Sequence, residues 1–192
     1  MLRIISGKFK NHRLHVPKGN VTRPTSALVR SAVFNILQCS IEDAHVLDLC
    51  AGSGAMGLEA LSRGANHVTF VEKERFGAES IKKNIELLGC QSQAKVYMRD
   101  AFAALKQLSS DKFDLIYIDP PYDAQAFWHG KSLPLGAALI YAIDQQPCLS
   151  ENGSLFLEIS HHCHLPEFTN LTHLRLVDSR LYGKSSLFIF QL

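Results

Sequence analysis

Short apolar runs alternate along the chain with segments whose apolar residues recur at helical spacing. Runs at 46–49, 68–71, 94–99, 113–118 and 154–159 have the length and composition of strands. Between two of them, Ala78, Ile81, Ile85 and Leu88 fall on one helical face, and Gly89 marks the end of a helix over about 74–88. This alternation predicts an α/β fold in which helices cover both faces of a mostly parallel sheet.

The two ends of the chain depart from this alternation. Strands over 174–182 and 186–191 are separated by a link so short that the pair must be antiparallel. Residues 1–20 mix basic and apolar positions and predict a short hairpin. Thr25 or Ser26 can then cap a helix whose Arg30 lies on the polar face. The apolar face of that helix comprises Val29, Ala32, Val33, Ile36 and Leu37.

The charge of the chain is unevenly distributed. Residues 1–41 hold seven basic residues and no acid, whereas the whole chain has 20 basic and 18 acidic residues. A basic arm on a net negative body indicates a polyanionic partner, although a solvated surface arm would have the same composition. We expect Lys8, Lys10 and Arg13 on the hairpin to contact phosphates, and Arg23, fixed by Pro24, to lie near the substrate.

Length and composition limit the remaining possibilities. A chain of 192 residues that is 46% hydrophobic can bury one good core. We therefore expect a single domain over 42–192, with residues 1–41 as a basic extension packed on it. Five cysteines without a CxxC pair, no apolar leader and no run long enough to span a membrane predict a reduced, cytoplasmic chain.

Three glycines follow the first strong strand and predict a ligand site. Gly52, Gly54 and Gly57 allow a tight turn, close backbone approach to a ligand and helix packing on the strand. Asp48 stands just before the turn, and Glu72 ends the next strand, where an acid can hold ribose hydroxyls. The pattern indicates an adenosine-type ligand. Its glycine spacing also satisfies the nicotinamide fingerprint, so it does not choose between cofactors.

The sequence Asp119-Pro120-Pro121-Tyr122, which closes the strand over 113–118, favours one class of chemistry. The lone pair of an exocyclic amino group on a base is delocalised into the ring, so this nitrogen attacks poorly. Asp119 and a carbonyl fixed by proline can accept its two hydrogens and turn the lone pair toward a methyl donor, while Tyr122 stacks on the base. A hydride-transfer enzyme has no evident use for this motif.

With these motifs the sequence resembles the S-adenosylmethionine-dependent methyltransferases that modify a guanine amino nitrogen in small-subunit ribosomal RNA. The resemblance covers most of the chain. It includes the segments 3–8, 22–26, 47–49, 51–55, 57–64, 71–73 and 119–122. The sequence departs from the family at Cys50, where an aromatic residue is usual, and at Ala27, Leu28 and Ser31, where polar or charged residues are usual.

The resemblance implies a Rossmann-like fold with a mostly parallel seven-stranded sheet, a C-terminal antiparallel hairpin and a small basic N-terminal hairpin and helix. It implies that Asp119, Pro120, Pro121 and Tyr122 are catalytic. It implies that S-adenosylmethionine binds at Asp48, Ala51, Gly52, Ser53, Gly54, Glu72, Asp100 and Ala101, although Asp100 can equally be a helix cap. It implies RNA contacts at Lys8, Lys10, Arg13, Arg23, Thr25 and Arg30. The expected partner is small-subunit ribosomal RNA or a partly assembled subunit, bound by a monomer without metal or membrane.

Two other functions stay open at this point. An adenine amino methyltransferase could use the same four-residue motif, and an RNA-binding assembly factor could keep the fold without turnover. A nicotinamide oxidoreductase is a more distant alternative.

Two further segments carry weaker expectations. Residues 123–134 predict an irregular loop bordering the target base, with Trp128 as its anchor. Residues 161–164 predict a surface loop rather than a zinc site, because adjacent residues rarely converge on one tetrahedral ion.

Overall fold

The computed structural model of the protein describes residues 2–17, 26–37, 40–146, 148–163 and 165–192. Helices are α1 (Ala27–Ile36), α2 (Ala55–Ser62), α3 (Arg75–Leu88), α4 (Ala101–Gln107) and α5 (Leu135–Gln145). Strands are β1 (His45–Leu49), β2 (His67–Val71), β3 (Ala94–Tyr97), β4 (Phe113–Ile118), β5 (Gln125–Trp128), β6 (Lys131–Pro134), β7 (Leu149–Ser160), β8 (Arg175–Tyr182) and β9 (Ser185–Gln191). None of the helices in these ranges has the length and apolar character that a membrane crossing requires.

The described residues form a seven-stranded sheet in the order β3-β2-β1-β4-β7-β9-β8. Strands β1, β2, β3, β4 and β7 are parallel to their neighbours within that group, and β9 pairs antiparallel with both β7 and β8. The predicted α/β class, the mostly parallel sheet and the C-terminal antiparallel pair are therefore confirmed. A separate antiparallel pair, β5–β6, lies outside this sheet.

Two apolar layers cover the sheet. One combines α1, α2 and α3 with one face of β1, β2 and β4, and it includes Ile4 and Leu14 from the N-terminal arm. The other combines α4 and α5 with the opposite face. Side chains alternate between the layers along β4, since Tyr117 belongs to the first and Ile116 and Ile118 to the second.

The N-terminal arm, which we define as residues 2–17, folds back on itself. A single antiparallel bridge joins Arg3 to Arg13, and the Ile4 N–H donates to the His12 carbonyl at 3.1 Å. Hence the arm has the path of the predicted hairpin without two regular strands.

Helix α1 begins at its predicted cap but is rotated from the predicted orientation. The Ser26 hydroxyl accepts a hydrogen bond from the Val29 N–H at 3.1 Å. The buried stripe comprises Val29, Arg30, Val33, Phe34 and Leu37. Ala32 and Ile36, predicted to face the core, are half-buried. The prediction that Arg30 lies on the solvent face was wrong, because the stripe that packs against α2 is centred between Val29 and Arg30.

Candidate active site

Three neighbouring parallel strands bring their carboxyl ends together at one edge of the sheet. Leu49, the last residue of β1, is paired with Val71 of β2 and with Ile118 of β4. The next residues along each strand are Cys50, Glu72 and Asp119. The sheet runs outward in opposite directions from β1 and β4, and such a switch point opens a crevice at the strand ends.

The glycine turn forms the floor of this crevice. Gly52 has a φ of 56°, in the left-handed region that a glycine adopts without strain. Gly57 serves a different purpose, because a Cβ there would lie 2.4 Å from the Phe70 ring of β2. The helix α2 can therefore lie close against β2. Cys50 also has a positive φ, of 67°, although it is not a glycine.

Asp48 supports the turn from behind. Its side chain is 2% exposed, and its carboxyl Oδ2 accepts a hydrogen bond from the Gly57 N–H at 2.9 Å. Burial raises the pKa of Asp48 to about 7, and the nearby charge of Glu72 adds to this, while the Gly57 N–H acts in the opposite direction. Asp48 and Gly54 were expected to contact the donor, but neither lies on the wall of the cleft described below.

Glu72 joins the turn to the second strand. Its Oε2 accepts from the Gly52 N–H at 2.6 Å and its Oε1 from the Glu74 N–H at 2.8 Å. The carboxylate is 7% exposed and faces the cleft. Burial raises its pKa above the ordinary value of a glutamate, although both backbone hydrogen bonds favour the charged form.

A cleft of about 480 Å³ lies over the strand ends. From the expected donor site it is lined by Ala51, Gly52, Ser53, Glu72, Asp100 and Ala101, and from the four-residue motif by Asp119, Pro120, Pro121 and Tyr122. The structure therefore brings together two groups of residues that are far apart in the chain. Asp100 has a second role, since its Oδ1 caps α4 by accepting from the N–H groups of Phe102 and Ala103.

The Asp119–Tyr122 segment runs from the interior of the protein to its surface. Asp119 is half-buried, Pro120 is buried, and Pro121 and Tyr122 are exposed. The Pro121 carbonyl accepts from the Ala124 N–H at 3.0 Å, which holds the segment as a turn. Burial, together with neighbouring carboxylates that include Glu72 and Asp119, raises the pKa of the Cys50 thiol far above its usual range, so Cys50 is a neutral part of the wall.

Several residues of the wall were missed from the sequence. Val16 and Pro17, at the end of the N-terminal arm, line the cleft, as do Cys50, Arg99 and Leu135. The position of Cys50 directly before the glycine turn could have indicated its role. The others reach the cleft through tertiary packing, for which a single sequence gives no local pattern.

The N-terminal arm is held against α2 and α3 by buried polar side chains. Glu59, which is fully buried, accepts hydrogen bonds from the N–H groups of Ile5 (2.7 Å) and Ser6 (2.9 Å) and from the Arg63 Nε (2.8 Å). At the cleft end, Asn84 accepts from the His15 N–H at 2.7 Å. The same Asn84 donates to the Ser53 carbonyl of the glycine turn at 3.2 Å.

The expected RNA contacts fall into three groups. Lys8, Lys10 and Arg13 are exposed, and the Lys8 N–H donates to the carbonyl of Ser62 at the end of α2 remote from the cleft. Arg23 and Thr25 lie outside the described residues.

Arg30 is the third group, and its position contradicts the expected RNA contact. Its side chain is 2% exposed, and its Nη2 donates to the Arg3 carbonyl at 3.0 Å. Its Nε and Nη1 have no hydrogen-bond partner among the described residues. Burial lowers the pKa of Arg30, while the negative charge of Glu59 opposes this. In this position the guanidinium is not accessible to a phosphate.

The histidine-containing segment lies at the end of β7. His161 and His162 are exposed in a turn, as expected for a surface loop, and His164 is outside the described residues. Among the residues that the structure describes, no group of three or more His, Cys, Asp or Glu side chains could hold a metal ion.

The family model described as conserved hypothetical protein 95 matches residues 2–191. This chain belongs to that family. The putative rRNA methyltransferase YlbH of Bacillus subtilis is 33% identical over 192 residues, covering 99% of this chain and 98% of the relative.

Two further comparisons place the family among methyltransferases. The ribosomal RNA small subunit methyltransferase D of Escherichia coli is 39% identical over 121 residues, covering 63% of this chain and 60% of the relative. A solved structure named as the putative methyltransferase yhhF from Escherichia coli superposes with a TM-score of 0.81 at 31% identity, covering 99% of this chain and 97% of the other. The fold expected from the resemblance is thus the fold of this family.

Proposed function

We propose that the protein transfers a methyl group from S-adenosylmethionine to the exocyclic amino group of a guanine in small-subunit ribosomal RNA. One observation carries the proposal: the Asp119–Tyr122 segment borders the same cleft as the glycine turn and Glu72. Relatives named as ribosomal RNA methyltransferases support the reaction class and the kind of substrate.

The cleft suits this methyl donor. Its floor is a bare backbone turn, and Glu72 at the tip of β2 is placed to accept hydrogen bonds from ribose hydroxyls. Glu72 is also a carboxylate on the cleft wall, and its charge favours a cationic ligand. When bound, S-adenosylmethionine supplies an electrophilic methyl group on a positively charged sulfur.

The acceptor end of the cleft orients the target base. The Asp119 carboxylate accepts a hydrogen bond from one N–H of the amino group, and the carbonyl held by the buried Pro120 accepts a hydrogen bond from the other N–H. Both contacts turn the nitrogen lone pair out of conjugation and toward the donor. The Tyr122 ring, 37% exposed on the cleft wall, stacks on the base.

The N-terminal arm docks the flanking RNA. Lys8 binds the Ser62 end of α2. His15 is linked through Asn84 to Ser53, which precedes the other end of α2, and the two ends of this helix are about 10 Å apart along its axis. Lys8, Lys10 and Arg13 therefore contact phosphates away from the target nucleotide.

Methylation assays with Asp119→Asn test the proposal. Labelled donor is incubated with deproteinised small-subunit RNA and, separately, with subunits from cells lacking the protein. The variant should lose at least about 100-fold in kcat with donor affinity nearly unchanged, since its carboxylate contacts the acceptor. The matched control is Asp111→Asn. Asp111 is exposed and precedes the first residue of β4, whereas Asp119 follows its last residue, so this variant should retain activity.

Several outcomes would contradict the proposal. Substantial turnover by Asp119→Asn at saturating donor and RNA would remove the assigned role of that carboxylate. Mass spectrometry of the product nucleoside decides the base, because N6-methyladenosine would replace the guanine assignment. Donor binding with no methyl acceptor in either substrate would favour a non-catalytic assembly factor.

A further inference from the structure

Two buried polar side chains lie behind the acceptor end of the cleft. Tyr117 is fully buried and Glu158 is 2% exposed. The Tyr117 hydroxyl donates a hydrogen bond to the Glu158 carboxylate, which joins β4 to β7. Neither of these two residues lines the cleft, so neither contacts a molecule bound there.

Strand pairing places Glu158 beside Asp119. Ile118 of β4 is paired with Leu157 of β7. Asp119 and Glu158 are the next residues along these two parallel strands. Both point to the face of the sheet that α1, α2 and α3 cover, because Tyr117, two residues before Asp119, belongs to the apolar layer on that face and Glu158 reaches its hydroxyl. Neighbouring strands are about 5 Å apart, so the two carboxyl groups are neighbours.

The hydrogen bond holds the Glu158 carboxylate on the inner side of Asp119. Tyr117 precedes Asp119 along β4, whereas the cleft lies over the ends of the strands. A carboxylate fixed at the Tyr117 hydroxyl is therefore behind Asp119 as seen from the cleft. Burial raises the pKa of Tyr117 well above its ordinary value, and the nearby charges of Glu158 and Asp119 add to this. The hydroxyl thus keeps its proton and remains a donor to Glu158.

A carboxylate is an expensive side chain at this place. Glu158 lies in the face of the sheet that carries the first apolar layer, and its strand partner in β9 is the buried Leu187. Two further titratable groups on this side, Asp48 of β1 and Arg30 of α1, interact electrostatically with Tyr117. An apolar side chain in place of Glu158 would avoid the cost of removing an ion from water. A buried ionisable group next to a motif that carries chemistry is typical of a functional role.

We propose that Glu158, held by Tyr117, is a positioning residue for Asp119. Like charges repel, so a negative charge fixed behind Asp119 turns the Asp119 carboxylate toward the cleft, where the amino group of the target base donates to it. The inference rests on the proposed function, since it assumes that Asp119 binds this amino group.

Two variants separate positioning from packing. Glu158→Gln keeps the size of the side chain and an oxygen that accepts from Tyr117, but it removes the charge. The double variant Tyr117→Phe/Glu158→Met replaces both partners of the hydrogen bond by apolar groups of similar size, a change that is often neutral or stabilising.

Methylation assays and urea unfolding measure the two effects. Both variants should lower kcat at least about 10-fold at saturating donor and RNA. The KM for RNA and the calorimetric affinity for the donor should stay within about 2-fold of the wild type, because neither side chain lines the cleft. The double variant should be at least as stable in urea as the wild type.

Asp144→Asn is the matched control, a buried carboxylate with a structural role only. Asp144 is 4% exposed and accepts hydrogen bonds from the backbone N–H groups of residues 172–174. It lies about 14 Å along α5 from Leu135 on the cleft wall. This variant should lose stability while the kcat of the folded protein stays unchanged, which is the opposite pattern.

Several results would overturn the positioning role. Wild-type kcat in the stable double variant or in Glu158→Gln would show that the pair only packs. A loss of kcat accompanied by an equal loss of donor or RNA affinity would indicate a distorted cleft. Failure of the double variant to fold would show that the pair is needed for the fold itself. Failure of the proposed function appears separately, as absence of methylation by the wild type or activity of Asp119→Asn.

Discussion

Replacing Asp48 by asparagine should stabilise the protein at alkaline pH and not at acidic pH. The Asp48 carboxyl is almost fully buried, and its pKa is raised from 3.8 to about 7, chiefly by burial. Between these two values the folded protein holds a proton that the unfolded chain has released. The contribution of this carboxyl to the free energy of unfolding is therefore fully present below its ordinary pKa and is lost as the pH rises through about 7.

The magnitude follows from the shift. A difference of about three pKa units corresponds to about 4 kcal/mol in the free energy of unfolding, of which about 3 kcal/mol falls between about pH 5 and about pH 8. Asparagine has the same shape, and its Oδ1 can still accept from the Gly57 N–H. Asp48→Asn should thus remove the pH-dependent cost and preserve the hydrogen bond that supports the turn.

Urea unfolding of both proteins at about pH 5 and about pH 8 measures the effect. The difference in unfolding free energy between variant and wild type should grow by roughly 3 kcal/mol in favour of the variant at the higher pH. Asp111→Asn removes an exposed carboxylate and should show no such growth. Equal differences at both pH values, or a variant that is less stable at about pH 8, would refute the argument.

Three other predictions concern separate parts of the protein. Glu72→Gln should weaken S-adenosylmethionine binding by roughly 1.5–3 kcal/mol while leaving RNA affinity unchanged, and calorimetry showing unaltered donor affinity would contradict its role. Replacing Lys8, Lys10 and Arg13 together by alanine should reduce the slope of log RNA affinity against log salt by roughly two to three; an unchanged slope in fluorescence titrations would make the arm a solvated surface only. Glu59→Gln should destabilise the protein by about 3 kcal/mol, because an amide NH₂ would face a backbone N–H of Ile5 or Ser6; urea unfolding measures this, and wild-type stability would contradict it.

The elements that the sequence predicted best are those whose pattern is local. The apolar strands end in Leu49, Val71 and Ile118, and parallel pairing alone brings their carboxyl ends to one edge. The glycine turn and the Asp119–Tyr122 segment could therefore be expected at the same site. Helix α3 begins and ends within one residue of its prediction because Gly89 adopts the left-handed conformation that terminates a helix.

The predictions were wrong where tertiary packing, and not the local sequence pattern, determines the structure. Arg30 has a charged side chain at a helical position that a sequence pattern assigns to solvent, yet it is buried against the arm beside Glu59. The hairpin β5–β6 was missed because His129-Gly130 is a less common turn pair than Asn-Gly or Asp-Gly, and the flanking strands have only four residues each. The position of Val16 beside the cleft depends on how the arm packs, which no short segment encodes.

The packing of the arm links the proposed RNA-docking residues to the glycine turn through the helices α2 and α3. Three side chains of α2 and α3 bind the arm backbone: Glu59 and Ser62 from α2, and Asn84 from α3. Asn84 also binds the Ser53 carbonyl, so the last described residues of the arm and the glycine turn share one hydrogen-bonding group. Loss of Glu59 should therefore lower RNA affinity together with stability, because it displaces the basic residues as a set. Loss of Lys8 alone should lower RNA affinity with stability unchanged, since that side chain is exposed and removes only one phosphate contact.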